Sequence, residues 1–135
     1  MKTSRTLAVL CLLLPLLAMP ARAKQVRVNV SNFAFSPASV AADVGDHVVW
    51  IWTGGFHTVT SGDWSAVSDV QAGDGLFNSS PDGGSPPNAT FSWKVTTAGT
   101  RPYYCQPHIP DMTGSLDLVA TGATGLSDFR ITEVE

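Results

Sequence analysis

The sequence predicts an all-β protein, and within that class a Greek-key β-sandwich of about seven to eight strands. Short segments alternate apolar and polar residues with the period of two typical of half-buried strands, most strictly over residues 25–30. Clusters of Gly, Pro, Asp and Ser punctuate these segments at the spacing of turns. No segment carries an apolar repeat of helical period that is long enough to predict a helix. Together these features favour a sandwich of short strands.

The amino terminus precedes the β pattern and predicts a cleaved signal peptide over residues 1–23. Lys2 and Arg5 give it a positive start, and residues 7–19 form an apolar run. The run ends at Ala21-Arg22-Ala23, which supplies the small residues that signal peptidase prefers. Its length of about 13 residues is short of the roughly 20 that cross a bilayer. We therefore expect a periplasmic or extracellular protein with no stable membrane insertion after cleavage.

The predicted mature chain starts at Lys24 and suits a single domain. Removing 23 of the 135 residues leaves 112, enough for one modest core. We expect the domain over residues 24–120 and a tail over 121–135 that either adds a strand or stays apart from the domain. Five basic residues against 11 acids give the mature chain a net charge of −6. No basic stripe is present to neutralise phosphates, so we expect no nucleic-acid partner. We also expect the protein to be a monomer.

The remaining strands are predicted from β-rich segments bounded by turn residues. In chain order they cover residues 39–43, 47–52, 57–61, 89–96, 101–105 and 115–120. Residues 62–88 are rich in Gly, Ser, Asp and Pro and form a long loop by composition. Loops of that length are often functional in compact domains. We expect Trp64, Leu76 and Phe77 to pin the loop to the sandwich.

A single cysteine remains in the predicted mature chain. Cys11 leaves with the signal peptide, so Cys105 is alone. Exported proteins in an oxidising compartment usually pair their cysteines. A leftover thiol there indicates intermolecular pairing, a reactive nucleophile or a metal ligand. An inert buried cysteine is the remaining alternative.

Cys105 lies among further metal-ligating residues. The segment Tyr103-Tyr-Cys-Gln-Pro-His-Ile-Pro-Asp-Met-Thr-Gly114 has the pattern Cys-x2-His-x3-Met, with His108 and Met112. Its two internal prolines stiffen the loop, because proline fixes its own φ and restricts its predecessor. Two His and one Cys in a trigonal arrangement, with a long axial Met, are typical of blue-copper electron-transfer sites. One further His is needed to complete that set.

Two upstream histidines are candidates for this ligand. His57 follows Gly54-Gly55-Phe56 at the mouth of a predicted strand, where its side chain reaches one end of the sandwich. His47 starts a predicted strand directly after Gly45-Asp46, near the opposite end. The ten residue steps from His47 to His57 span roughly 33 Å when extended, so both histidines cannot serve one metal. We choose His57 and expect His47 to be an exposed strand residue.

With these residues the sequence resembles the cupredoxins, and within them the small plastocyanin, pseudoazurin and amicyanin group. The matching stretches are Gly55-Phe-His57-Thr-Val-Thr, Phe91-Ser-Trp-Lys and Tyr-Tyr-Cys105-Gln-Pro-His108 followed by Met112-Thr-Gly. The resemblance extends over about residues 25–120 and implies one type 1 copper ion. The implied ligands are His57, Cys105 and His108 in the plane and Met112 on the axis.

Two positions depart from the pattern of that group. Relatives place four or two residues between the second His and the Met, whereas Ile109, Pro110 and Asp111 make three here. Relatives often carry Asn directly after the first His, and this chain carries Thr58. The axial position and the bond across the ligand loops are therefore where this chain differs from its group.

The resemblance implies a small exported protein that shuttles single electrons between redox partners by Cu(I)/Cu(II) cycling. It also implies that His108 meets redox protein partners through an apolar face formed by Phe56, Pro107, Ile109 and Pro110. A copper chaperone or storage protein of the same fold and an adhesion-type sandwich without metal stay open as alternatives. An enzyme is not expected, because the sequence shows no second metal set and no acid–base group beside the first except Asp111.

Overall fold

Two four-stranded sheets make up the computed structural model, which describes residues 22–31, 33–79 and 89–121. The strands are β1 (Gln25–Ser31), β2 (Ala34–Ser36), β3 (Ser39–Asp43), β4 (His47–Trp52), β5 (Thr60–Ser61), β6 (Thr90–Lys94), β7 (Gly99–Tyr104) and β8 (Thr113–Val119). A short 3-10 helix, Gln106–His108, lies between β7 and β8. The predicted all-β sandwich of seven to eight strands is confirmed.

The order of the strands shows how the chain closes the sandwich. One sheet has the order β2-β1-β4-β6 and the other β3-β8-β7-β5. From β2 onward the chain passes between the sheets at each connection up to β7, in the manner of Greek-key folds. The strands β1 and β4 pair in parallel, with Gln25 opposite His47 and Val30 opposite Trp52. This register fixes one end of β4 beside the start of the domain and the other end beside the loop that carries His57.

The core follows from the alternation of side chains along the strands. In β4, Val48, Trp50 and Trp52 are buried, whereas His47, Val49 and Ile51 are only half-buried. Aromatic rings surround Trp50, whose centroid lies 5.2 Å from that of Phe77 and 5.5 Å from that of Tyr103. The core therefore joins both sheets to the loop that follows β5.

Several predicted boundaries were wrong in detail. The strand predicted over 57–61 is limited to Thr60–Ser61, because Val59 is hydrogen-bonded to Ser79 instead. The Val59 N–H donates to the Ser79 hydroxyl, and the Ser79 N–H donates to the Val59 carbonyl. The strand β2 was not predicted, since three residues carry no usable periodicity. In the long loop Phe77 is buried as expected, but Leu76 is exposed.

Three predictions concern residues that lie wholly or mostly outside the described ranges. These are the signal peptide over 1–23, of which only the last two residues are described, the second part of the 62–88 loop, and the tail over 121–135. Within the described ranges, no helix has the length and apolarity needed to cross a bilayer.

Candidate metal centre

Cys105, His108 and Met112 lie in the compact loop between β7 and β8. The loop is closed by hydrogen bonds among these same three residues. The Cys105 backbone N–H donates to the Met112 carbonyl at 3.0 Å, and the Met112 N–H donates to the His108 carbonyl at 2.9 Å. The His108 N–H donates to the Cys105 carbonyl at 3.1 Å. Backbone bonding therefore sets the mutual positions of the three side chains.

His57 reaches the same place from the turn that follows β4. Gly55 has a φ of +80°, and a Cβ built on it would overlap the His57 imidazole. Glycine is required there because it adopts positive φ without strain and leaves room for the ring. The Trp52 indole N–H donates to the His57 carbonyl at 2.9 Å. The turn and the buried Trp52 together fix the backbone that presents His57.

The donor atoms of three predicted ligands converge at this end of the sandwich. The Nδ1 atoms of His57 and His108 are 3.2 Å apart, and the Cys105 Sγ lies 3.2 Å from Nδ1 of His108 and 3.8 Å from Nδ1 of His57. A first-row metal bound at about 2.1 Å from three in-plane atoms requires these atoms to be about 3.6 Å apart. The observed triangle fits such an ion, and its nitrogen and sulfur donors are those that copper prefers.

Burial shapes the protonation of this cluster. His57 is 2% exposed, and burial, reinforced by the nearby His108, lowers its pKa below the ordinary value. Burial also raises the pKa of the Cys105 thiol, an effect that hydrogen bonds from Thr58 oppose. A neutral imidazole has a free lone pair for a metal, whereas the thiol must lose its proton to become a ligand. A metal ion bound at this cluster would therefore displace the proton of the Cys105 thiol.

Thr58 links the two segments that carry the cluster. Its backbone N–H lies 3.3 Å from the Cys105 Sγ, and its hydroxyl oxygen accepts a hydrogen bond from the Gln106 N–H at 2.8 Å. The Gln106 side-chain amide in turn donates to the Thr60 hydroxyl at 2.9 Å. Such outer contacts orient metal ligands and tune the metal. The hydroxyl of Thr58 thus forms a bond across the ligand loops at the position where relatives often carry Asn.

Met112 and His47 lie in different places relative to the cluster. Met112 is 1% exposed and lies in the same loop as Cys105 and His108. His47 lies opposite Lys94 and Gln25, at the far end of β4 from Trp52, and its Nδ1 is 3.4 Å from the Ser92 hydroxyl. It is half-buried rather than exposed. The structure does not bring His47 to the cluster.

Sequence reasoning missed Phe33, which packs on the cluster from the turn between β1 and β2. Its ring lies edge-on to both imidazoles, with centroids 4.7 Å from that of His108 and 5.9 Å from that of His57. Phe33 is nevertheless 63% exposed, and Phe56 is 59% exposed. No local pattern signals this contact, because it depends on the pairing of β1 with β2. We call Phe33, Phe56, Pro107 and Pro110 the apolar rim, since all four are exposed and carry apolar side chains.

The fold and the cluster define a β-sandwich protein with a nitrogen- and sulfur-based metal centre, and comparisons with known proteins specify the family. Residues 22–119 match the family described as copper binding proteins, plastocyanin/azurin family. The chain therefore belongs to the cupredoxins, as the resemblance predicted, and its cofactor is copper. The prediction of a non-enzymatic protein agrees with that membership.

Individual relatives support the same assignment. The chain is 34% identical over 95 residues to a chloroplastic plastocyanin of Tetradesmus obliquus, a match that covers 68% of this chain and 63% of the relative. The chain thus spans less than two thirds of that relative's length. Among solved structures, an oxidised mutant of amicyanin has a TM-score of 0.51 and 25% identity, and the reduced Cu(I) form of another amicyanin mutant has a TM-score of 0.51 and 26% identity. Each covers 69% of this chain and 80% of the amicyanin chain.

Proposed function

We propose that this protein is an exported carrier of single electrons with one type 1 copper ion, which His57, Cys105, His108 and Met112 would hold. The observation that carries the proposal is the convergence of two imidazole nitrogens and one cysteine sulfur, all within 4.8 Å of one another. With a thioether on the axis, these donors make up the ligand set of blue-copper electron-transfer sites. Copper held there would supply one-electron chemistry, since it has the oxidation states Cu(I) and Cu(II).

The contribution of the chain is to hold the ligands in one arrangement. Ligands that move when the oxidation state changes slow electron transfer, so a fixed loop favours it. The hydrogen bonds among Cys105, His108 and Met112 restrain the loop, and the Gln106–Thr58 bond joins it to the segment of His57. The sheets on either side are anchored in the core. These contacts support a rigid site that serves both oxidation states.

The buried ligands and the partly exposed His108 have different tasks in this proposal. Cys105 and His57 are sealed from solvent, which excludes competing ligands such as water. His108 is only half-buried, and the apolar rim lies around it. Exposed aromatic side chains in such a patch are typical of contact surfaces between proteins. We infer that redox protein partners dock on the rim and exchange electrons through His108.

Export and the domain limits belong to the same proposal. The signal peptide over 1–23 would direct the chain to the periplasm or the extracellular space, where the domain over 24–120 acts as a monomer. The names of the similar proteins support the redox role: one is a plastocyanin, and the amicyanin structures are described as oxidised and reduced forms. The net charge of −6 for the mature chain favours a cationic partner.

The visible spectrum of the copper-loaded protein tests the proposal. We expect an intense thiolate-to-Cu(II) band at one copper per chain, which disappears on reduction and returns on oxidation. Cys105→Ser removes the thiolate and should remove the band. A wild type without the band, or a Cys105→Ser variant that keeps it, would contradict the electron-carrier proposal. A chaperone or storage protein would instead keep Cu(I) tightly without the reversible colour.

A further inference from the structure

Asp46 is a buried carboxylate at the end of the sandwich opposite the metal centre. The residue is 4% exposed and lies directly before β4. One oxygen, Oδ1, accepts a hydrogen bond from the backbone N–H of Lys24 at 2.7 Å. The other, Oδ2, accepts one from the backbone N–H of Asp43 at 3.0 Å. The proposed electron transfer uses none of these groups.

No side-chain cation contacts this carboxylate within the part of the chain that the structure describes. The nearest ammonium group, Nζ of Lys24, pairs with Oδ2 of Asp43 at 3.1 Å, and the Lys24 side chain is 70% exposed. The other charged or titratable groups around Asp46 are His47 and Arg22. A buried carboxylate without a bound cation is costly, so its place in the fold calls for an explanation.

The atom that Asp46 contacts is the nitrogen of the residue predicted to start the mature chain. Lys24 follows Ala21-Arg22-Ala23, the predicted cleavage signal. The backbone fixes this nitrogen, since the Lys24 carbonyl accepts a hydrogen bond from the His47 N–H at 2.9 Å. Lys24 thus lies one residue before the first paired position of β1 and β4, and its backbone nitrogen faces Asp46. The position of the carboxylate does not depend on the Lys24 side chain.

We propose that Asp46 is the binding site for the mature amino terminus, which removal of the signal peptide creates at Lys24. Hydrolysis breaks the Ala23–Lys24 peptide bond: the water oxygen joins the Ala23 carbonyl carbon, and the Lys24 nitrogen leaves as an amine. That amine takes up a proton at neutral pH and becomes an ammonium group. The atom that already faces Asp46 thereby changes from a neutral amide donor into a cation.

This change strengthens the contact at a buried position. The amide N–H of Lys24 already donates to an ionised acceptor, and an ammonium donor adds a direct attraction between opposite charges to that hydrogen bond. Low local dielectric strengthens this attraction further, and a carboxylate that already accepts two backbone N–H groups is kept ionised. Processing therefore stabilises the fold of the mature protein. The inference rests on the proposed export for the cleavage alone and does not involve the copper site.

The test compares two proteins that a bacterial host exports and processes. One is the full natural chain, and the other has a single Gly inserted between Ala23 and Lys24, which moves the new ammonium group one residue away from Asp46. Intact mass should show that the first begins at Lys24. In urea, at equal copper occupancy, we expect the unfolding equilibrium constant of the natural chain to be about tenfold smaller than that of the variant with the inserted Gly. The α-amino group of the natural chain should titrate about one pKa unit above the ordinary 7.7–8.0.

Two substitutions serve as matched controls. Asp46→Asn in both chains should abolish the tenfold difference, whereas Asp43→Asn, which removes only the exposed pair with the Lys24 side chain, should preserve it. If the Asp46→Asn variant does not fold, the pKa of the α-amino group in the natural chain tests the proposal by itself. A different starting residue, equal stabilities, a difference that survives Asp46→Asn or an ordinary α-amino pKa would each overturn the proposal. The visible copper band should be the same in all variants, which separates this test from that of the electron carrier.

Discussion

The two ends of the sandwich both bury polar side chains, but they satisfy them in different ways. At one end the two oxygens of Asp46 accept hydrogen bonds from backbone N–H groups. At the other end His57, Cys105 and His108 turn their donor atoms toward one another. Buried polar groups in folded proteins usually have partners. A cluster in which three lone-pair donors face the same point is completed by a metal cation, whereas each oxygen of Asp46 already has a backbone donor.

The two upstream histidines show the same contrast within one stretch of chain. His47 lies inside a strand and is held in register against Lys94 and Gln25. His57 lies just outside a strand, after a glycine of positive φ. Strand residues are committed to the pairing of the sheet, whereas residues in the following turn are free to converge on a common point. The difference explains why one histidine belongs to the metal centre.

The largest expected effect comes from exchanging these histidines for alanine one at a time. His57→Ala removes an in-plane ligand, so we expect the visible band to vanish and copper affinity to fall by more than about 100-fold. His47→Ala should leave the band and the affinity unchanged. Copper titration followed by absorbance measures both. A band that depends on His47 would break the contrast between the two ends.

Alanine at two of the positive-φ glycines, one at each end of the sandwich, gives the next largest effect. Gly55→Ala strains the backbone and pushes a methyl group into the His57 ring, for a loss of about 2–4 kcal/mol in unfolding free energy and a shifted visible band. Gly45, with a φ of +103°, has open space around its Cβ position. Gly45→Ala should cost only the backbone strain, about 1–2 kcal/mol, with an unaltered band. Equal spectral effects of the two would contradict this account.

Acid sensitivity is expected at the Asp46 end. Backbone hydrogen bonds from Lys24, first, and Asp43 lower the pKa of Asp46 against the opposing effect of burial. Because the pKa of Asp46 is lower in the folded state than in the unfolded state, the ionised carboxylate stabilises the fold fully above the unfolded-state pKa. This stabilisation is lost as the pH falls through the folded-state pKa. Asp46→Asn should therefore cost about 1–3 kcal/mol near neutral pH, and the gap from wild type should close in acid. Urea unfolding at a series of pH values measures this; a gap independent of pH would count against it.

The smallest expected effect concerns the hydroxyl that joins the ligand segments. Thr58→Val keeps the shape of the side chain but leaves the half-buried Gln106 N–H without its acceptor, at a cost of about 1 kcal/mol. We also expect a shifted reduction potential, because the contact orients the segment of Cys105. Thr58→Ser retains the hydroxyl and should restore the potential. Voltammetry of the three proteins provides the measurement, and a valine variant with the natural potential would show that the hydroxyl does not tune the copper.

Much of this contrast was predictable from local sequence. Period-two alternation located the longer strands, and the spacing of Cys105, His108 and Met112 indicated one loop with three metal-ligating side chains. The choice of His57 over His47 needed the length of an extended chain and the place of His57 after Gly54-Gly55-Phe56 at the end of a strand. These features are local or depend on simple distances, so the sequence carries them directly.

The rest depends on how distant segments pair. The contact of Phe33 with the imidazoles requires β2 to fold back on β1, and β2 is too short to show a pattern. The bond from Lys24 to Asp46 requires the parallel register of β1 and β4, since the two residues lie 22 positions apart. Likewise, the burial of Phe77 and the exposure of its neighbour Leu76 follow from the path of the loop over the core. Tertiary registers of this kind are not encoded in any single segment.

The most direct test of the central claim is a crystal structure of the copper-loaded protein with anomalous data collected at the copper absorption edge. We predict one anomalous peak per chain, within bonding distance of Nδ1 of His57, Nδ1 of His108 and Sγ of Cys105. A peak beside His47, or copper bound without the Cys105 sulfur, would contradict the assignment of the metal centre to this end of the sandwich.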